Sequence, residues 1–406
     1  MSWRERLGRN WGRLGMRSEW ITSTIDDICK LVTDGAHNSP KSVDNGYYMA
    51  SVKDFTAYGF DFSNCRKISE ADYLKLKKQG CVPESGDILV GKDGARYFED
   101  VIIYRQKEQP ALLSSIAILR VDDTKVTSEF LYYTLKSPAV KKDVRDNYGS
   151  GSAIPRIVLK DFKRMPISFP SLKEQKKITN ICELLDEKIQ LNNRINNNLE
   201  QQAQVIYQQM FIDNASPDWT ECTLSDIADI TMGQSPSGSS YNEDGIGTVF
   251  FQGRAEFGFR FPTIRLFTTE PKRMAYINDT LMSVRAPVGD LNVACTDCCI
   301  GRGLAAIHSK NNHQSFVLYT MFSLKKQLDV FNGEGTVFGS INRNSLKEMP
   351  LLIPTSEKLD EFEALVAPMD TAIRNNYDEI CRLEQLRDTL LPKLMSGELD
   401  VSDIDL

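Results

Sequence analysis

Two stretches of this chain keep apolar side chains on one helical face over an unusual length. After Pro170 they fall at Ile178, Ile181, Leu185, Ile189, Ile195, Leu199, Ile206 and Met210. Near the C-terminus they fall at Phe362, Leu365, Met369, Ile373, Ile380, Leu383, Leu390 and Leu394. Steps of three, four and seven predict long amphipathic helices of coiled-coil character, one over 171–214 and one over 355–406. Asn192 and Asn376 lie inside the two stripes, where a buried polar residue fixes register at some cost in stability. Pro368 predicts a kink near the start of the second helix.

Elsewhere the period shortens to two. DILVG (87–91), VIIYR (101–105), SIAILRV (115–121), GTVFFQG (247–253) and GLAAIHS (303–309) read as strands, split by Gly, Pro, Asn and Asp clusters. EFLYYTLKSPAVKKDVRD (129–146) and SFVLYTMFSLKKQLDV (315–330) read as helices.

These elements occur twice. Trp20 and the following ITSTIDDI match Trp219 and TECTLSDI at an offset of 199, GDILV from Gly86 matches NDTLM from Asn278 at 192, and FLYYT from Phe130 matches FVLYT from Phe316 at 186. From Gly149 the offset is 184 and stays there: Met165-Pro166 pairs with Met349-Pro350, Asp186 with Asp370, and Leu199-Glu200-Gln201 with Leu383-Glu384-Gln385. Loops accept insertions cheaply and continuous helices do not, so varying offsets followed by a fixed one describe a loop-rich domain leading into a rigid rod. The fold expected is α+β, with two mixed α/β domains (16–170 and 215–354) in tandem repeat. They are separated by two long helices that pair antiparallel as a coiled coil with pseudo-twofold symmetry.

Composition adds constraints. The chain has 406 residues, 41% apolar and 26% charged, ordinary values for a globular protein. No apolar run approaches the roughly 20 residues of a membrane span, so no membrane partner and a cytoplasmic location are expected. Nine cysteines lack the spacing of a disulfide framework and read as reduced thiols. The net charge of −6 is concentrated: residues 355–406 hold 13 acidic and 5 basic side chains, leaving 44 basic and 42 acidic groups elsewhere. Residues 1–15 carry four arginines and one glutamate. They read either as an extension upstream of an independent start at Met16 or as a basic arm.

The arrangement resembles the specificity subunit of type I restriction-modification systems from about Met16 to Leu406. The resemblance is carried in the first copy by TDGAHNSP (33–40), GSGSAIPRI (149–157) and FPSLKEQKKI (169–178). In the second it is carried by GQSPSGSSYN (233–242), SVRAPVGD (283–290), CCIGRGLAAI (298–307) and LRDTLLPKLMSGELDV (386–401). It implies that each globular copy is a target-recognition domain reading one half of a bipartite double-stranded DNA site. The helices would set the spacer, since some 35 helical residues span roughly 50 Å, about 15 base pairs. It further implies two methyltransferase subunits and two motor-nuclease subunits as partners, with S-adenosylmethionine, ATP and magnesium bound on them. This chain would then be non-catalytic and hold no cofactor of its own. The alternative is a coiled-coil scaffold joining two protein-binding domains. A self-sufficient methyltransferase is opposed by the lack of an Asn-Pro-Pro-aromatic tetrapeptide and of a glycine-rich cofactor loop.

Two motifs imitate other chemistry. Gly86–Asp93 (GDILVGKD) fits a phosphate loop except that Asp replaces the terminal Ser or Thr, and its repeat partner lacks both glycines. Cys295, Cys298 and Cys299 with His308 and His313 offer metal-ligand spacings, but a strand-like run fills the gap and the first copy has no counterpart, so no metal is expected.

DNA contact calls for Arg, Lys, Asn, Gln, Ser, Thr and backbone amides on loops and helix ends. The first copy supplies His37, Asn38, Lys41, Lys53, Lys92, Arg96, Ser150, Ser152 and Arg156. The second supplies Ser235, Ser237, Ser239, Tyr241, Arg254, Arg260, Arg285, Arg302, Asn342 and Arg343. Arg254, Arg260 and Arg265 interleave with Phe257, Phe259 and Phe261 in a loop the first copy lacks. The loops Gly149–Ser152 and Gly333–Thr336 read as phosphate-gripping nests or as tight turns.

Overall fold

Both copies open on a strand that runs into one turn of helix, and the capping residues explain the turn. Asp27 N–H donates to Thr24 Oγ1 at 3.2 Å while Thr24 N–H donates to Asp27 Oδ2 at 3.3 Å. In the second copy Thr223 N–H donates to Asp226 Oδ2 at 2.7 Å. Such reciprocal caps satisfy amides the helix start leaves unpaired, and the turns Ile25–Ile28 and Leu224–Ile227 bury their apolar ends. The computed structural model describes residues 20–94, 96–149, 155–333, 339–401 and 404. The basic segment 1–15, Ser150 and Ser152 lie outside the described residues, as does most of each glycine-serine loop.

The duplication extends to sheet topology. Ile21–Thr24 pairs antiparallel with Pro166–Phe169, and Thr220–Thr223 with Pro350–Ile353. The first copy's main sheet orders Cys29–Asp34, Ile116–Val121, Ile88–Gly91 and Val101–Ile103. The second copy's orders Ala228–Met232, Leu304–Ser309, Thr280–Ser283 and Leu291–Val293. Every pairing in both sheets is antiparallel. Each copy also has a second sheet, three-stranded in the first copy and five-stranded in the second, with one parallel pair, Tyr47–Ala50 with Ala111–Leu112 and Thr248–Phe251 with Cys298–Ile300. The five expected strands are present, and the two expected helices are each divided. Ser128–Lys136 stops at Ser137, whose side chain caps Pro138–Asp143, with Pro138 in the first turn where its missing N–H costs nothing. Gln314–Ser323 is followed by Lys325–Asp329.

The long helices run over Leu172–Tyr207 and Ser356–Met395. The chain divides into two compact units, residues 1–189 with 382–406 and residues 190–381, so each unit takes part of both helices. Within the second unit, Asn192 Nδ2 donates to Glu379 Oε2 and Asn376 Nδ2 to Asn196 Oδ1, each at 2.8 Å, and Tyr207 meets Phe362 edge-on with centroids 5.8 Å apart. Residue numbers rise on one helix as they fall on the other, so the segments are antiparallel there. In the first unit Arg387 Nη1 donates to Asp186 Oδ1 at 3.0 Å, and Leu391, Leu394 and Met395 share a core with Ile178 and Cys182.

The buried line departs from the expected stripes. Asn196, Ala203 and Val366 are buried, whereas Ile195 is 38% and Leu365 49% exposed. An antiparallel seam selects residues by their facing partner, and apolar periodicity cannot see that partner. The C-terminal helix continues through Pro368, which faces solvent.

Candidate nucleic-acid interface

At one end of each main sheet a tight loop crosses the backbone of a neighbouring segment, and glycine makes the crossing possible. A Cβ at Gly35 would lie 2.3 Å from Leu112 O, and one at Gly233 would lie 2.1 Å from Gly301 O. These are the glycines of TDGAHNSP and of GQSPSGSSYN, so the two motifs mark the same structural position.

In the second copy the strand register pairs Ser283 with Leu304, and Val284 N–H donates to Gly303 O at 2.9 Å. Arg285 and Arg302 therefore emerge at the same end of the sheet. Arg302 N–H donates to Ser235 Oγ at 3.3 Å, tying it to the Gly233 loop, and Arg285 forms a backbone bridge with Ser340. Both guanidinium groups are exposed and have no ion pair among the described residues. Gln234 and Gln252, exposed beside Arg302, were missed by the sequence reading. Only the close approach of Gln252 O to Gly301 and Gly303 brings that pair into view.

The first copy builds this corner differently. Lys92 N–H donates to Ser115 O and Ile157 N–H to Lys92 O, with Asp93 bridged to Arg156. Lys92 was expected to face DNA, but it is only 7% exposed and its Nζ lies 3.2 Å from Asp34 Oδ2. A buried ammonium must be paired, and Asp34, 58 positions away, carries no sequence signal of that role. His37, exposed, places Nε2 3.1 Å from Asp34 Oδ1. Asn38, Lys41, Lys53 and Arg156 are exposed, and the three basic side chains have no ion pair among the described residues.

Several remaining candidates are engaged in the fold. Arg260 is the clearest correction: it is 4% exposed, with Nη2 3.3 Å from Glu200 Oε1 and Nη1 3.5 Å from Asp370 Oδ1. Burial pulls its pKa down, but Tyr319, Asp370 and Glu200 outweigh that and leave it raised. Phe261 also turns inward, packing at a tilt against Tyr377 with ring centroids 4.7 Å apart, while Phe259 stays 48% exposed. Asn342 caps a short helix by accepting from Asn344 and Ser345 N–H. Tyr241 is half-buried and donates to Pro236 O at 3.1 Å. Arg96 pairs with Asp100 at 2.7 Å and Arg254 with Asp290 at 3.1 Å. Arg343, exposed, reaches Ile230 O at 3.4 Å. Ser237 and Ser239 are exposed and hydrogen-bond each other at 2.8 Å.

The cysteine–histidine set does not converge. Cys295, Cys298 and Cys299 are buried, and burial raises the thiol pKa of Cys295 and Cys298, disfavouring thiolate. His308 bonds Asp279 and His313 bonds Asp360. Among the described residues no three His, Cys, Asp or Glu form a metal-ligand group, and no helix is long and apolar enough to cross a membrane.

Duplicated domains of this topology, each joined to a long helix, define the class to which comparison assigns the sequence. The pattern of the type I restriction modification DNA specificity domain matches residues 17–201 and again 217–365, and the chain belongs to that family. One relative, from Methanocaldococcus jannaschii, is named provisionally as the specificity subunit of type I restriction enzyme MjaX. It is 27% identical, with 94% of each chain covered. The MjaIX specificity subunit of the same organism is 24% identical over 69% of this chain and 71% of its own. A crystal structure of a type I restriction-modification S subunit from M. genitalium has the same fold, with a TM-score of 0.58 at 18% identity over 94% of this chain and 97% of that one.

Proposed function

We propose that this chain is the DNA-recognition subunit of a type I restriction-modification enzyme, each globular copy reading one half of a bipartite double-stranded site. The observation that carries this reading is the duplicated sheet end, where a glycine crossing lies beside exposed cations without ion pairs among the described residues: Arg285 and Arg302 in one copy, Arg156 in the other. Unpaired surface cations are the groups from which phosphate contact gains most through counterion release. Different side chains at equivalent corners suit two unlike half-sites.

The long helices act as the spacer in this reading. Helices of 36 and 40 residues would extend about 54 and 60 Å at 1.5 Å per residue. They also offer two equivalent faces for two methyltransferase subunits, with two motor-nuclease subunits completing the assembly. Methyl transfer and ATP-driven steps, with S-adenosylmethionine, ATP and magnesium, belong to those partners, and this chain supplies specificity alone.

Gel-shift titration of the chain co-purified with its methyltransferase subunit, over a range of salt, tests the reading. Sequence-selective binding that weakens steeply with salt supports it. Sequence-blind or absent binding sinks it and favours a scaffold.

A further inference from the structure

The two units contain the same polar cluster, but the guanidinium in it comes from different places. In the first unit Tyr133 Oη donates to Asp186 Oδ2 at 2.8 Å and Arg387, from the C-terminal helix, donates to Asp186 Oδ1 at 3.0 Å. In the second unit the repeat-equivalent Tyr319 donates to Asp370 Oδ1 at 2.9 Å. The residue equivalent to Arg387 is Ala203, fully buried. Its role passes to Arg260, which reaches Asp370, Glu200 and Tyr319 Oη from the loop spanning 254–265.

That loop has an outward and an inward side. Arg254, Phe259, Ile264 and Arg265 are exposed, while Arg260 and Phe261 are buried against the C-terminal helix. The Arg260 Nε has no partner among the described residues. A desolvated, incompletely bonded charge is a poor device for stability alone, and register-setting is the best-attested use of such groups.

We propose that Arg260 is a positioning residue: it fixes the 254–265 loop on the helix pair of the second unit and so sets how that copy reads its half-site. The first copy draws its guanidinium from a helix, so its recognition loops carry no such tether. The inference rests on the DNA-reading function proposed above.

The test uses the chain in complex with its methyltransferase subunit, measuring methylation of duplexes with single mismatches in either half-site. Arg260→Ala lowers mismatch discrimination about tenfold in one half-site, the order of one base-pair contact, and leaves the other half-site unchanged. Adding Ala203→Arg restores the guanidinium in the manner of the first copy. It recovers the thermal unfolding midpoint but not the discrimination, because the loop stays untethered. If Arg260→Ala discriminates like the parent, or if the double variant recovers discrimination together with stability, the proposal is overturned. Should the single variant not fold, the double variant supplies the same readout. A parent complex indifferent to mismatches in both halves would instead overturn the DNA-reading function.

Discussion

The Asn376 side-chain amide donates to Asn196 Oδ1 at 2.8 Å, closing one of the polar contacts of the antiparallel helix seam. Truncating one partner leaves the other desolvated and unbonded, which costs about 1–3 kcal/mol. Asn376→Ala is therefore expected to lower stability by that amount in urea unfolding. Asn196→Leu with Asn376→Leu is expected to recover it while loosening register, read as several cross-linking patterns between engineered cysteines where the parent gives one.

Tyr133 and Tyr319 make equivalent bonds to Asp186 and Asp370, so Tyr133→Phe should cost about 1.5–3 kcal/mol for a hydrogen bond to a charged group, and Tyr319→Phe should cost more because its hydroxyl also accepts from Arg260. Arg387→Ala is harsher because it leaves Asp186, itself buried, without its cation, and about 3–5 kcal/mol is expected. Denaturant midpoints of the three variants check both statements.

The carboxyl pair around Arg260 gives a pH dependence of known sign. Burial pushes Glu200 and Asp370 above their ordinary values of 4.5 and 3.8, and Arg260 offsets this only in part. An acid raised in the folded state holds its proton more tightly there. Its contribution is complete below the unfolded pKa and is lost as pH rises through the folded one. Stability of the second unit should therefore decline as pH rises from about 4, and Glu200→Gln should flatten the decline without weakening the fold at neutral pH. The capping aspartates have the opposite sign. Hydrogen bonds from the Thr24 side chain and backbone lower Asp27, and those from the Thr223 backbone and side chain lower Asp226, so their contribution is lost as pH falls through the lowered values. Unfolding midpoints across pH 3–8, for parent and Glu200→Gln, separate the two limbs.

Much of the architecture was legible because it is periodic or repeated. The strands Ile88–Gly91 and Leu304–Ser309 alternate or run apolar between turn residues, and the fixed offset of 184 marked the long helices before any contact was known. The candidate site was less legible. An arginine among aromatics looks the same in sequence whether it points outward, like Arg254, or inward, like Arg260, because the carboxylates that bury it lie at positions 200 and 370. Lys92 was misplaced for the same reason, since its nearest carboxylate, Asp34, comes from a strand far away in sequence. Helix breaks such as Ser137-Pro138 were signalled locally, by a cap and a proline, and were overridden by the apolar pattern around them.

Arg302 and Lys92 should separate binding from folding. Replacing exposed Arg302 or Arg285 by alanine is expected to weaken DNA binding across sequences and to reduce the slope of log K against log salt by about 1 each, with stability unchanged. Lys92→Ala is expected to cost about 3–5 kcal/mol by stranding Asp34, with the slope preserved in the folded fraction. Salt titrations beside thermal melts of the three variants decide it.

The central claim, two copies reading two half-sites at a set spacing, is tested most directly by mapping N6-methyladenine across the genome of a host carrying and lacking this chain. The account predicts a split motif, two specific halves separated by a constant number of unspecified base pairs, methylated only when the chain is present. Identical maps in the two hosts, or one contiguous motif, would contradict it.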